Sequence, residues 1–358
     1  VREVAPAIAA PPGTATLDAR GRIVTPGWID LHVHVYPGVS HYGIEPDPHL
    51  VDKGVTTAVD AGSAGAQTFP GFRRYIIDVA TTRLLAYLNI SSQGMLDQRI
   101  GELEDLRNAD VARAVQTVEA NRDVILGIKV RLSKNLVGGN GLRPLHLARE
   151  AADAAGLPVM VHPNDAWEPM DNILAVLRTG DVVTHCYHQS ATGVLDRDGQ
   201  VRPSVHAAVE REVGFDVGHG KGSFSFGVAR AAMAQGLWPH TISSDLHRYN
   251  VDGPVFDLAT TVTKFLHLGL DLPDAVRKVT ENPARVVGMD GLIGTLVPGA
   301  CADLAVFDLV EAPADLEDAH GVRETAARRL VPYATVRAGR VRMARRSAAH
   351  TGDPPDPR

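Results

Sequence analysis

The chain has 358 residues, 44% hydrophobic and 22% charged, with 36 basic against 42 acidic side chains and a formal net charge of −6. That length supports one large domain and a small one around a substantial core, with the composition of an ordinary globular chain. The mildly acidic balance argues against a nucleic-acid partner, and no run approaches the ~18 apolar residues of a membrane span.

The chain opens at Val1 without a methionine, and Val1-Arg2-Glu3-Val4 reads as though entered midway through a strand. Residues 1–24 are β-like and are expected to form the truncated first part of a β-sandwich. From residue 25 onward, short β-rich runs alternate with amphipathic helical stretches, the pattern of parallel βαβ units. Strand ends are expected near His34, Asp60, Ile90, Arg131, His162, His185, Val217 and Asp245. Helices over 72–80, 144–155, 173–178, 226–235 and 255–268 fall among the connections. Val159-Met160-Val161 and Asp181-Val182-Val183-Thr184 read as buried on both faces, as parallel strands are.

Eight such units over about 250 residues fit an α/β fold of the (β/α)8 TIM barrel type across residues 25–293. A doubly wound sheet, which needs fewer units, is the alternative. After Pro283 the texture changes. Residues 294–307 are turn chemistry followed by a β run, and 332–341 offer a hairpin with Gly339 near its turn. A small β-sandwich domain built from both chain ends, with 294–345 as its second part, is the economical reading. The Pro-rich end at 346–358 reads as a disordered tail, and Arg340, Arg342, Arg345 and Arg346 as a solvated face. Cys186 and Cys301 lack C-x-x-C spacing and cannot make a disulfide framework, so a reducing cytoplasmic setting is expected.

Polar residues recur where the strands end. His32 and His34 sit at i, i+2, on one face of a strand, and could reach one metal ion. With 15 His in the chain, such a pair gains weight only from its company. That company is Lys129 in Gly127-Ile128-Lys129-Val130-Arg131, His162 after Val159-Met160-Val161, His185 after Val182-Val183-Thr184, and Asp245 after Ile242-Ser243-Ser244. Each has a bland reading: a satisfied structural histidine, a helix-capping aspartate, a lysine reaching solvent. Together those readings need separate coincidences at five strand ends. Convergence at the C-terminal mouth of a barrel, with four imidazoles and a carboxylate, suits divalent zinc, manganese or iron.

Lys129 is the sharpest case, because the chain has six lysines against thirty arginines. An ammonium beside two metal ions would lose its proton. The neutral amine can add carbon dioxide, giving a carbamate whose two oxygens bridge the ions, which arginine cannot do. Lys134 is the alternative if the strand register is shifted. Arg131, Tyr187, His219 and Arg248 lie at or near strand ends and are candidates to hold a substrate carboxylate, although most loop polar residues simply meet water. Cys186, between His185 and Tyr187, should point away and pack. Gly218-His219-Gly220-Lys221-Gly222-Ser223 resembles a phosphate loop but has Phe215 where the first glycine belongs, so nucleotide binding is rejected.

H-x-H after P-G-x-x-D, a strand-four lysine, histidines on strands five and six and an aspartate on strand eight together resemble the amidohydrolase superfamily. Glu281-Asn282-Pro283-Ala284-Arg285 and residues 294–306 resemble its barrel exit and the return to its β-sandwich. Residues 54–63, 127–131 and 216–220 look most like the bacterial deacetylase-type branch, similar in layout to dihydroorotases and hydantoinases. The resemblance implies that His32, His34 and Asp245 hold one metal ion and His162 and His185 a second. Carbamylated Lys129 and a hydroxide would bridge them, with Asp245 as proton shuttle. It further implies deacetylation of a small N-acyl or O-acyl carboxylate, with a homo-oligomer compatible. The alternatives are a cyclic amidohydrolase of dihydroorotase or hydantoinase type, and a non-catalytic scaffold protein. Scaffolds of that kind usually lack several ligands, whereas all six candidates are present here.

Overall fold

The computed structural model describes residues 1–344. The expected tail at 346–358, with Arg345 and Arg346, lies outside the described residues. A first short strand, β1 (Ile23–Pro26), leads directly into β2 (Trp28–Val33). Then follow β3 (Val55–Gly65), β4 (Arg83–Asn89), β5 (Ile125–Arg131), β6 (Val159–His162), β7 (Val182–Val183) and β8 (Gly214–Phe215). Strands β2 to β8 pair in chain order as one parallel seven-stranded sheet. All six residues of β2 and all eleven of β3 are buried, as in a sheet covered on both faces.

Where an eighth strand was expected before Asp245, residues 241–246 form no regular strand. They still bond to both edges of the sheet. Val217 N donates to Thr241 O and His219 N to Ser243 O on one side; Asp245 N donates to His32 O and His34 N to Leu246 O on the other. The irregularity has a local cause: Asp245 has φ +49°, which breaks the two-residue alternation of a strand. His185, just beyond the two-residue β7, does the same with φ +62°.

The helices match the expected connections closely at 143–155 and 226–234 and less so elsewhere. The segment expected as a helix over 72–80 is a short helix at Phe69–Phe72 continued by a wide π turn at Arg73–Ile77. Helices at Val111–Glu119 and Pro203–Glu210 fill two further connections, where the alternation of strand and helix implied a helix but no range was assigned.

The second part of the chain adds β9 (Leu304–Val310), β10 (Ala314–Glu317), β11 (Arg323–Ala326), β12 (Arg329–Arg337) and β13 (Arg340–Met343). Antiparallel pairing in the order β1-β9-β12-β13 gives one four-stranded sheet from both chain ends, and β10-β11 is a separate ribbon. Residues 1–22, expected as β-like, contain no strand. Pro6, Pro11, Pro12 and Gly13 interrupt that stretch, and proline cannot donate to a ladder. The expected hairpin is present: Ala338 and Gly339 both have positive φ, the conformation of a two-residue turn between β12 and β13.

Phe307 of β9 ties this small sheet to the large one. Its ring stacks on Trp28 of β2 with centroids 4.1 Å apart, and both side chains are fully buried. A Cβ on Gly54 would fall 2.6 Å from Phe307 Cζ, so the glycine is needed for the ring to seat. Asp303 adds a polar joint, accepting from Arg83 at 2.9 Å and from Arg337 at 3.2 Å. We expect Phe307→Ala to lower unfolding stability by about 3–5 kcal/mol, the range for a buried aromatic truncation. Chemical denaturation of the two proteins checks this, and a loss under about 1 kcal/mol would show that the sheets do not depend on the stack.

Candidate metal centre and the cavity around it

The six expected side chains line one cavity at the C-terminal ends of the strands, and each of the four imidazoles is held by a specific neighbour. Thr184 Oγ1 donates to Asp216 Oδ2 at 2.9 Å and lies 2.8 Å from His32 Nδ1. Its one proton is committed to Asp216, so it accepts from His32 Nδ1–H, and His32 Nε2 keeps a free lone pair. Ser133 works the same way on the next ring. Its hydroxyl donates to Asn164 O at 2.7 Å and accepts from His162 Nε2 at 3.1 Å, leaving His162 Nδ1 free. His185 Nδ1 donates to Gly218 O at 2.6 Å, and His34 Nδ1 lies 2.9 Å from Ser63 Oγ. Such partners fix which nitrogen of an imidazole can bind a metal ion.

Buried carboxylates support the segments that carry some of these partners. Asp216 also accepts from Thr241 Oγ1 at 2.6 Å and Ser243 Oγ at 2.7 Å. Asp60 accepts from the Ser63 amide at 2.7 Å, and Asp30 from Ser244 Oγ at 2.5 Å. No site role was read from the sequence for these three aspartates or for Thr184, Ser63 and Ser133. The signal available was weak: an Asp or Thr beside each motif, indistinguishable from an ordinary turn residue.

Two polar atoms in the cluster have no hydrogen-bond partner among the described residues, Lys129 Nζ and Asp245 Oδ1. Lys129 is fully buried, and a Cβ on Gly62 would come within 2.7 Å of its side chain. Asp245 Oδ1 lies 3.2 Å from His34 Nε2 and 3.5 Å from His32 Nε2. The donor atoms of His32, His185 and Asp245 lie within 4.8 Å of one another. The rings of His162 and His185 are 4.4 Å apart.

Burial sets the charge states. It drives His32, His162 and His185 well below the ordinary imidazole value and His34 to about 3, so all four rings are neutral at pH 7. Burial also lowers Lys129 to about 7 and raises Asp245 to about 6. The lowered value favours the neutral form of the amine, the form that can react with carbon dioxide.

A cavity of about 450 Å³ opens over these groups, with Tyr42, Met95, Gln98, His247 and Tyr249 among its walls and Asn164, Lys221 and Ser223 at one side. A larger one, about 890 Å³, lies at the opposite end of the sheet beside Pro158, Gly214 and His240. Chemistry belongs with the smaller, because barrel-like sheets place reactive side chains at their strand C-termini.

The four expected substrate contacts fare differently. Arg131 lines the cavity but is ion-paired with buried Glu102 and lies over the Tyr42 ring. Tyr187 is fully buried away from the cavity, its hydroxyl donating to Leu237 O at 2.8 Å. His219 is also outside it, held by Lys264 at 2.7 Å. Arg248 is exposed and packs on Tyr249. For Tyr187 the reason is period-2 geometry interrupted by the positive φ at His185; His219 and Arg248 belong to irregular segments where position along the chain does not fix direction. Lys134 is exposed over Trp167, so the strand register favours Lys129. Cys186 packs in the core, as expected.

The Amidohydrolase family model matches residues 23–341. This chain belongs to the amidohydrolase family. It is 39% identical over 322 residues to a deacetylase of Agrobacterium fabrum, covering 90% of this chain and 79% of that protein. A deacetylase of Enterococcus faecalis is 36% identical over 324 residues, covering 90% and 87%. Among solved structures, one titled as a dihydroorotase superposes with a TM-score of 0.89 at 38% identity, over 97% of this chain and 90% of that one. Another, titled as an adenine deaminase, gives 0.91 at 34% identity, over 96% and 93%. The chain is thus an amidohydrolase-type hydrolase whose relatives include the deacetylase-named branch. Among the described residues, no helix is long and apolar enough to cross a membrane.

The relay from Asp216 through Thr184 to His32 yields a prediction. Thr184→Val keeps the shape but removes the acceptor for His32 Nδ1–H. Divalent-ion affinity should fall roughly 10–100-fold, the usual loss when the outer partner of a ligating histidine is removed. Competition titration against a chelator measures it, with a thermal melt to verify folding; unchanged affinity in a folded variant would refute the relay.

Proposed function

We propose that this chain is a binuclear metal-dependent hydrolase that removes an acetyl or similar small acyl group from a carboxylate-bearing molecule, through an amide or ester bond. The observation that carries this reading is the desolvated cluster itself: four neutral imidazoles around an amine and a carboxylate oxygen that have no other partner. The deacetylase-named relatives support the acyl specificity. The fold reading that accompanies it is a (β/α)8 barrel over 25–293 with a small β domain from 1–24 and 294–345.

The residues fit the ions that the family implies. Neutral imidazoles and a carboxylate are a donor set for zinc, manganese or iron, and the orphaned Lys129 Nζ and Asp245 Oδ1 lack only a charged partner. His32, His34 and Asp245 would hold one ion and His162 and His185 the other, with Lys129 as a carbamate joining them. When bound, the ions would polarise the scissile carbonyl and make a water acidic enough to attack at neutral pH. Asp245 then receives the proton of that water and passes it to the departing nitrogen or oxygen. Thr184, Ser133 and Gly218 O keep His32, His162 and His185 in the tautomers that face the cavity. A volume of about 450 Å³ suits a small molecule rather than a polymer.

A second reading is a single-ion centre. The tight group of His32, His185 and Asp245 takes donors assigned above to both ions, and favours it. Elemental analysis after metal-supplemented expression separates the two, with close to two ions per chain expected.

Two variants test the residue roles. Lys129→Ala should lower metal content and abolish turnover of acetylated acids, with partial recovery when a short carboxylic acid refills the vacated space; near-normal activity without added acid would sink the bridge. Asp245→Asn should retain most metal but lose at least ~100-fold in kcat, the low end for removal of a general acid–base group. A fully loaded and still active Asp245→Asn protein would reduce Asp245 to a ligand.

A further inference from the structure

The glycine-rich segment rejected above as a phosphate loop forms one side of the cavity. Gly220 is pinned: its amide donates to Ser244 O at 3.0 Å, and its carbonyl lies 2.8 Å from His219 Nδ1. With φ +56°, it rests so close to Asp245 that a Cβ there would fall 2.4 Å from Asp245 Oδ2. The next residue, Lys221, is therefore anchored one peptide from the carboxylate that handles the proton.

Three cations line the cavity, Lys129, Arg131 and Lys221. Lys129 belongs to the metal cluster. The guanidinium of Arg131 donates to Glu102, with Nε to Oε1 at 2.9 Å, so its charge is balanced. Lys221 alone makes no hydrogen bond or ion pair among the described residues, and it is exposed at the mouth. Beside it, Ser223 Oγ accepts from Asn164 Nδ2 at 2.8 Å, which leaves its own proton free to donate. Ser223 and Asn164 both line the cavity, and Ser223 is buried. An unpaired ammonium and a pre-aimed hydroxyl make a receptor for a small anion. Among the described residues, Asp245 is the only acidic side chain on the cavity wall, so no other carboxylate of theirs competes there for the cation.

We propose that Lys221 and Ser223 bind the carboxylate on the leaving half of the substrate, the amino or hydroxy acid released when the acyl group departs. The assignment to the leaving half follows from Gly220: the loop that presents Lys221 borders Asp245, which protonates that half. The inference rests on the hydrolase reading above and adds the residues that select an acid over its neutral analogue. They are specificity determinants and take no part in bond making.

The test compares the wild-type holoenzyme with Lys221→Gln, Lys221→Arg and Ser223→Ala on N-acetyl and O-acetyl derivatives of 2-amino and 2-hydroxy acids and on the matching primary amides. Lys221→Gln should lower the acid-to-amide ratio of kcat/KM by at least about tenfold through KM, the scale of one charge-assisted hydrogen bond. Lys221→Arg should restore most of the ratio, and Ser223→Ala should cause a smaller loss. Calorimetry gives a readout independent of turnover: the free 2-amino and 2-hydroxy acids should bind Lys221→Gln at least about tenfold more weakly than wild type, with acetate affinity unchanged. A ratio and acid affinities equal to wild type in Lys221→Gln would overturn the assignment, as would equal weakening for acetate. If the wild type cleaved none of these compounds, the hydrolase reading would fall, while the calorimetry would still decide Lys221.

Discussion

Desolvation of six donor groups at one end of a parallel sheet is the constraint on which the structure depends. Burying a polar group without a partner costs about 2–7 kcal/mol, so the orphaned amine and carboxylate oxygen are held at a cost that the packing around them must offset. The same burial holds the imidazoles neutral and brings Lys129 to about 7, preparing lone pairs and a reactive amine together. The surrounding protein is built to keep it so. All eleven residues of β3 are buried, and the hydroxyls contacting the rings come from small side chains, Ser63, Ser133 and Thr184, that fit between neighbouring strands.

Backbone strain is the second contribution. His185 and Asp245 both adopt left-handed conformations, costing about 1–3 kcal/mol each for residues other than glycine. That turn carries each side chain off the strand's alternation and into the shared cavity. Glycines then make room. A Cβ on Gly218 would fall 2.3 Å from Thr184 Oγ1 and 2.7 Å from His185 Nδ1, closing the relay that orients His32. Gly220 does the same for Asp245. The glycine-rich loop thus serves close packing against the donor cluster, and its likeness to a phosphate loop reflects a shared need for bare backbone.

The small sheet, far from the chemistry, sets where β2 begins. Phe307 on Trp28 and Asp303 between Arg83 and Arg337 lock β1 and β9 against the start of the large sheet. β2 follows β1 with one intervening residue, so this joint also positions His32 and His34.

The clustering of the six side chains was legible in the linear sequence because most of them lie at the ends of regular strands, where an apolar run reveals position and two-residue alternation reveals direction. His32, His34, Lys129 and His162 follow that rule, and the alternating helical stretches disclosed the parallel sheet around them. The rule loses force where the backbone leaves the strand. The expected eighth strand is an irregular segment that bonds to both edges, and Tyr187, His219 and Arg248 could not be aimed from sequence spacing. In the region of the expected sandwich the described residues form a four-stranded sheet and a two-stranded ribbon, and the prolines of residues 1–22 keep that stretch out of either ladder. The partners of the rings were also hidden. Asp216 lies 32 residues from Thr184, and Thr184 lies 152 from His32. Local sequence encodes which polar groups stand at the strand ends; only the closed tertiary structure, which sets a distant hydroxyl or carbonyl against each ring, decides which nitrogen faces the cavity and which cation remains unpaired at its mouth.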